Sequence, residues 1–478
     1  MIKIKHVTGL AIILVFVFIS SFTNKITDDG DDVFFKIDTL ATNLIVPWQI
    51  TFLPDRSMLF TERPGRVRIY RNGRLEQKPI LEVNDIKAET KTGLLGMVIH
   101  PNFNRNHFIY IAHNYGKNNR LWLRVIRYEF KNDTLIHPKT LIEEIPAARN
   151  HTGCRLIFGP DQKLYITTGD ADQPVLAQDL KTYNGKILRI NDDGGIPSDN
   201  PFVKNDTARK EIWSYGHRNP QGLAFKPHTN QLYATEHGPT GGDEINIIQK
   251  GANYGWPVIH HQETKAGMVT PFQEYTPSIG PAEAIFYQGN AFPQLNNNLL
   301  VACLRGESIL RIEMDKNKIV KQQVLLKKQY GRIRSLVVGP DGYLYISTSN
   351  FDLPESKGEK PYDMILRLRP STVKTDQTAQ TISSNNQTSK METGPAAMFK
   401  QLCASCHGDK LQGTATVYNL TGGKFKHGAD KQSIINNISN GIIEKGMPAW
   451  NGAISKKDIA DLADYIIKVT KAESNFEY

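Results

Sequence analysis

Cys403-Ala-Ser-Cys406-His407 sets two thiols three residues apart with a histidine directly after them, the pattern of a c-type haem attachment site. The thiols can bond to the porphyrin, and the adjacent imidazole can ligate its iron. A zinc or redox use of the pair lacks partners, because the other two cysteines, Cys154 and Cys303, are remote and isolated. The second axial ligand is expected at Met447, in Gly446-Met447-Pro448-Ala449-Trp450, where the proline stiffens the loop that presents the sulfur; His427 is its rival. A Met/His pair raises the reduction potential, which suits a haem that accepts electrons from an organic donor.

Such a haem needs a donor, and four polar stretches upstream could build one. They are Arg149-Asn-His151-Thr-Gly-Cys-Arg155, Gly216-His-Arg218-Asn219-Pro-Gln221-Gly222, Glu236 to Asn246 with Asn253 to Pro257, and Gly331-Arg332-Ile-Arg334. The third combines carboxylates with carbonyls around Gly and Pro, oxygen donors suited to calcium, though without EF-hand spacing. In the fourth, strand spacing puts Arg332 and Arg334 on one face, where they either hold an anion between two guanidinium forks or face solvent. His151 is either a general base or a structural histidine.

The elements that must position these groups read as β from about residue 35 to 370. Six apolar runs, beginning at Met58, Phe108, Leu164, Leu232, Leu299 and Leu344, each follow a turn at Pro54, Pro101, Pro160, Pro227, Pro293 or Pro340. These prolines are 47, 59, 67, 66 and 47 residues apart. Six like units at such intervals predict a mainly β fold, a six-bladed β-propeller over residues 35–370. Residues 371–393 are dominated by Ser, Thr, Gln and Asn and read as a flexible linker. Beyond it, over 394–478, the pattern turns helical and predicts a small all-α domain. Ala397, Met398 and Leu402 fall at helical spacing, Ser455 with Asp458 is a capping signal, and Ile459, Leu462, Ile466 and Val469 form an apolar stripe.

A chain of 478 residues is too long for one compact core. Its net charge of +10 is modest, and no basic block carries interleaved aromatics, which argues against nucleic acid as a partner. Residues 1–24 open with Met1-Ile-Lys-Ile-Lys and continue into an apolar run from Leu10 to Ile19, as in a secretory signal. No A-x-A cleavage site is present, so an uncleaved anchor at a membrane is the alternative. Export to the periplasm or beyond fits a c-type haem, which is attached outside the cytoplasm. Only two cysteines lie outside the haem motif, so disulfides are not the main staple.

Residues 38–369 resemble the soluble quinoprotein sugar dehydrogenases, the glucose/aldose/sorbosone group of six-bladed propellers that use pyrroloquinoline quinone (PQQ). The likeness rests on Gly93 to Phe103, His151 with Arg155, Tyr183-Asn-Gly-Lys-Ile-Leu-Arg189, Gly216 to Gly222, Glu236 to Pro257, and Arg332-x-Arg334. It implies that His151 is the base for a sugar's anomeric hydroxyl, with Arg218 beside the quinone carbonyl and Asn219 and Gln221 in the same cofactor loop. It also implies a catalytic calcium on the carbonyls of Gly238 and Pro239, a structural calcium at Glu244 and Tyr254, and cofactor carboxylates on Arg332 and Arg334. Three positions depart from the family pattern: Arg305 replaces a lysine near the cofactor, Lys91-Thr92 stands where a sugar-contacting glutamine is common, and Asn150 rather than an acid precedes His151. Residues 394–471 resemble class I cytochrome c domains, with Cys403, Cys406, His407 and Met447 at the matching positions.

The expected protein is an exported quinohaemoprotein that oxidises C1 of a sugar, an aldose, to a lactone. Electrons would pass from the quinone to the haem and on to another cytochrome or respiratory component. Two other readings compete: a propeller that only binds a ligand or protein beside an electron-transfer domain, and an enzyme for a non-aldose alcohol or aldehyde.

Overall fold

Each of the six prolines lies between the first and second strands of a blade. In the computed structural model, residues 33–239, 241–352 and 360–372 are described, with 394–408, 410–413, 419–421, 425–442, 447, 450 and 456–473. The expected signal, the linker from residue 373 onward, and Ser455 lie outside the described residues.

Six antiparallel sheets follow one another along the chain, the six blades expected from the repeat. Their first strands are Pro47–Phe52, Leu94–Ile99, Gly153–Phe158, Pro220–Phe225, Pro281–Phe286 and Ile333–Val338. The second strands include Met58–Glu62, Leu164–Thr168, Leu232–Glu236, Leu299–Cys303 and Leu344–Thr348, and every residue of these five is buried. A strand buried on both faces carries a near-continuous apolar run, which is why these strands dominate the sequence pattern. Three of the turns before them carry an aspartate, Asp55, Asp161 and Asp341. Asp161 Oδ1 accepts from Lys163 N and Asp341 Oδ1 from Tyr343 N, both at 3.1 Å, an Asx-type turn in those two blades.

The sixth blade is closed by the start of the propeller. Phe34–Leu44 pairs antiparallel with Asp363–Ser371, from Phe34 opposite Ser371 to Leu44 opposite Asp363, with register shifts between Thr39 and Ala41 and between Ala41 and Leu44. This pairing joins the two ends of the propeller and completes a four-stranded sixth blade.

The ring topology also gathers the polar stretches. The residues leading into the first strands (Trp48 at the start of its strand, then Lys91, His151, Arg218 and Asn219, Gly280, and Arg332 with Arg334) all line one cavity. So do residues just past the second strands: His237 to Pro239, Leu304 and Arg305, and Asp352. Every blade thus presents its first-strand entry and second-strand exit at the same end of the ring.

Beyond residue 393, helices span Pro395–Leu402, Ala404–His407, Lys431–Asn440 and Lys456–Glu473. Asp430 caps the third by accepting from Ser433 N at 2.9 Å. Phe399, Ile434, Ile438, Ile459, Leu462 and Ile466 form the shared core, so the apolar stripe faces inward as its spacing predicts. No described helix is long and apolar enough to cross a membrane.

Candidate active site

The axial cavity has a volume of about 290 Å³ and is lined by His151, Arg218, Asn219, Gln221, Gly238, Pro239, Arg305, Arg332 and Arg334. Residues from all four polar stretches, with Arg305 from outside them, therefore meet at one place.

His151 Nδ1 lies 2.8 Å from Asp170 Oδ1 and 3.3 Å from Asp172 Oδ1. Carboxylates on that side hold the ring proton at Nδ1 and leave Nε2 as the basic nitrogen. Asp170 is itself fixed, its Oδ2 accepting from Trp256 Nε1 at 2.8 Å. The backbone is bent to bring these groups together: His151 has φ 49° and Asp172 φ 59°. Such left-handed values are uncommon for residues other than glycine and cluster at functional sites. Gly169 permits the approach, since a Cβ there would meet His151 O at 1.9 Å. Lys186, from the Tyr183–Arg189 motif, supports the same loop from below. Its buried ammonium donates to Leu176 O and Ala177 O at 2.9 and 3.0 Å, and burial pushes its pKa down to about 7.

Arg218 is placed by Glu236, whose Oε2 accepts from Arg218 N at 2.9 Å while Oε1 takes His217 Nδ1. Its guanidinium donates to His237 O and Gly238 O at 3.1 and 2.9 Å, and its Nε is buried without a partner. Gln221 is a support rather than a free contact: its amide donates to Asn219 Oδ1 at 3.0 Å, which also accepts from Gly153 N.

Opposite stands a cationic cluster around one carboxylate. Asp352 pairs with Arg63, with Lys91 at 3.1 Å and with Arg334 at 3.1 Å, and its side chain is fully buried. Burial alone would raise its pKa, but Lys91, Arg63 and Arg334 outweigh it and hold the carboxyl at about 2. Arg332 Nε is buried without a partner. Burial pushes the Arg334 guanidinium down to about 10, Asp352 opposing and Arg332 adding to the shift. Excess cations and unpartnered guanidinium nitrogens fit a polycarboxylate ligand. Asp352→Asn should cost about 3–5 kcal/mol at pH 7, because it leaves buried cations unpaired. Since the folded-state pKa lies below the unfolded value of 3.8, this stabilisation is complete above that value. The gap to wild type should therefore close as pH falls towards about 2 in denaturant titrations.

Glu244 lies apart from this cavity, in a smaller one with Glu236, His260 and His261. Asn246 Nδ2 bridges the two carboxylates at 2.8 Å each. Burial, then Glu236, pushes the Glu244 carboxyl well above the usual range, although Arg218 lines the same cavity. The Tyr254 hydroxyl is not available as a ligand: it donates to Ile247 O at 2.7 Å and accepts from Gln249 N at 2.8 Å. Only its main-chain oxygen could serve a cation.

In the helical segment, Cys403, His407, His427 and Met447 line one apolar cavity with Phe399, Ile438 and Leu462. Met447 is held by main-chain bonds in both directions with Ile442, at 2.9 and 3.2 Å. Burial pushes the His407 imidazole pKa down, towards the neutral form that ligates metals. The side chain of Cys406 lies outside the described residues. Thiol, imidazole and thioether around an apolar cavity form a donor set suited to haem c.

Sequence reasoning missed the groups that act behind the cavity wall. Asp170, Asp352 and Trp48 stand outside the polar stretches, and Trp256 lay in one without a role. The signal that could have found Asp170 and Asp352 is positional, since each closely follows the second strand of its blade.

Residues 44–354 match the family model for glucose/sorbosone dehydrogenases, and residues 391–466 match the model for subunit III of cbb3-type cytochrome c oxidase. The aldose sugar dehydrogenase YliI of Escherichia coli is 36% identical over 343 residues, 68% of this chain and 91% of that protein. Quinoprotein glucose dehydrogenase B of Acinetobacter calcoaceticus is 30% identical over 411 residues, 66% of this chain and 85% of that protein. Among solved structures, the apo soluble aldose sugar dehydrogenase of Escherichia coli superposes with a TM-score of 0.66 at 34% identity, covering 71% of this chain and all of that one. The PQQ-bound aldose sugar dehydrogenase of Streptomyces coelicolor gives 0.61 at 29% identity, covering 70% and 99%.

Proposed function

The chain belongs to the glucose/sorbosone dehydrogenase family, and from that premise we propose that it oxidises the C1 hydroxyl of a sugar to a lactone and delivers the electrons to its own haem domain. The observation that carries this reading is the convergence of a carboxylate-braced histidine and a cation-rich wall on one axial cavity. Arg332 and Arg334 would hold the carboxylates of PQQ, with Arg305 at the rim, Arg218 and Asn219 along the quinone, and Gln221 bracing Asn219. When bound, the quinone supplies a two-electron hydride acceptor and the haem a one-electron outlet.

The chain's own residues do the rest. His151 Nε2 takes the proton of the C1 hydroxyl, and Asp170 stabilises the resulting imidazolium through Nδ1–H. Arg218 would place its charge beside the cofactor oxygen where negative charge develops. The carbonyls of Gly238 and Pro239 would hold the catalytic calcium. Because Gly238 O already accepts from Arg218, ion and guanidinium would share that oxygen. Glu244 and the main-chain oxygen of Tyr254 would hold a second, structural calcium. Cys403 and Cys406 would anchor the haem, with His407 and Met447 as axial ligands.

Fusion to the propeller keeps the haem domain at high effective concentration. The basic, apolar start of the chain and the haem motif together support export. The decisive experiment reconstitutes the full chain with PQQ and calcium and follows the haem absorption band against a panel of sugars. Reduction by an aldose, dependent on PQQ, is the expected result. If no compound in the panel reduces the haem, the coupled reading fails.

A further inference from the structure

Five cationic side chains, Lys91, Arg218, Arg305, Arg332 and Arg334, line the axial cavity against a single carboxylate, Asp352. Asp170, Asp172, Asp243 and Glu236 oppose Arg218 from behind the wall, and Arg332 and Arg334 face the cofactor's carboxylates in the reading above, so Lys91 and Arg305 are the cations left to meet a substrate. Two cations left at the cavity favour an anion over a neutral sugar.

Lys91 is the cation best placed to meet a substrate. It leads into the first strand of the second blade, and His151 leads into that of the third. The two lead-ins are joined where Lys91 N donates to Arg149 O at 3.1 Å, two residues before His151. Lys91 Nζ donates to Asp352 O at 2.7 Å and pairs with Asp352 Oδ2 at 3.1 Å. An ammonium carries three N–H donors, so one is left for the cavity, and the side chain is 38% exposed. Burial lowers the Lys91 pKa, and an arriving carboxylate would offset that desolvation. Arg305, exposed at the rim, has no ion-pair partner among the described residues and adds to the local potential.

We propose that the preferred substrate is an aldose bearing a carboxylate, a uronic acid, with Lys91 as the residue that selects it. This rests on the dehydrogenase reading above. The chemistry at C1 is unchanged: the hydroxyl proton goes to His151, the hydride with its two electrons goes to the quinone, and C1–O becomes the lactone carbonyl. The substrate carboxylate takes no part in the redox step and serves only recognition.

The test uses the full chain loaded with PQQ, calcium and haem, and compares glucuronate with glucose and galacturonate with galactose. At low ionic strength kcat/KM should favour the uronate about 10- to 100-fold, the size of one charge-assisted contact. The preference should shrink as salt rises from about 10 to 300 mM, because screening weakens a partly exposed pair. Lys91→Gln should lower the uronate-to-aldose ratio at least tenfold, and Lys91→Arg should restore most of it, about as a point charge in the same place would. A parallel calorimetric titration, with the quinone held reduced so that no turnover occurs, should give tighter binding of glucuronate than of glucose. Equal or better use of the neutral aldose, with a ratio unmoved by Lys91→Gln, overturns the proposal. If neither sugar reduces the haem, the dehydrogenase reading fails, and the titration still decides whether the cavity prefers the anion.

Discussion

Replacing His151 by glutamine should lower kcat/KM for the sugar at least ~100-fold while changing PQQ affinity by less than about threefold, as expected for loss of a general base. Glutamine is close to histidine in size and keeps a hydrogen-bonding head, but it cannot take a proton. The His151 ring is fixed from behind by Asp170 at 2.8 Å, and Asp170 by Trp256 at 2.8 Å, so the variant disturbs the end of a braced chain rather than its middle. A structural role predicts a different pattern, with lower thermal stability and a pH–rate profile of unchanged shape. The base role predicts that the acid limb of that profile disappears in the variant. Unchanged turnover would exclude His151 as the base.

The parts of this molecule that were legible in the sequence are those that repeat or pack on both faces. The second strand of each blade showed because burial on both sides demands apolar residues, and the turn before it showed because a proline recurs there, followed in three blades by aspartate. His151, Arg218, Arg332 and Arg334 showed because they are polar residues in stretches that strands alone do not require. Asp170 and Asp352 did not show, because a buried carboxylate takes its meaning from cations and donors up to 289 residues away in the chain, as Arg63 is from Asp352. The role of Lys186 was hidden in the same way. Its motif was visible, but an ammonium spent on the carbonyls of Leu176 and Ala177 can be recognised only once the blade is folded.

The arginine wall gives a prediction of opposite sign for stability and for binding. Arg332→Met should weaken PQQ affinity about 30-fold or more, since truncating one partner of a buried charge pair costs about 2–5 kcal/mol. The same change should raise the melting temperature of the cofactor-free protein by about 1–3 °C. The reason is visible around Arg332. Its Nε is buried without a partner, burial pushes its pKa down, and Arg305 pushes the same way, with only Asp352 and more distant acids opposing. Asp352 is already shared by Arg63, Lys91 and Arg334, so methionine removes an under-compensated cation and leaves the other pairs in place. In the loaded protein the balance reverses, because the cofactor's carboxylates need that cation. Calorimetric titration with PQQ and a melting curve of the apo protein measure the two effects separately. A variant that melts lower and binds PQQ unchanged would mean that Arg332 serves the fold, and that the positive charge at this end of the ring is held for something other than the quinone.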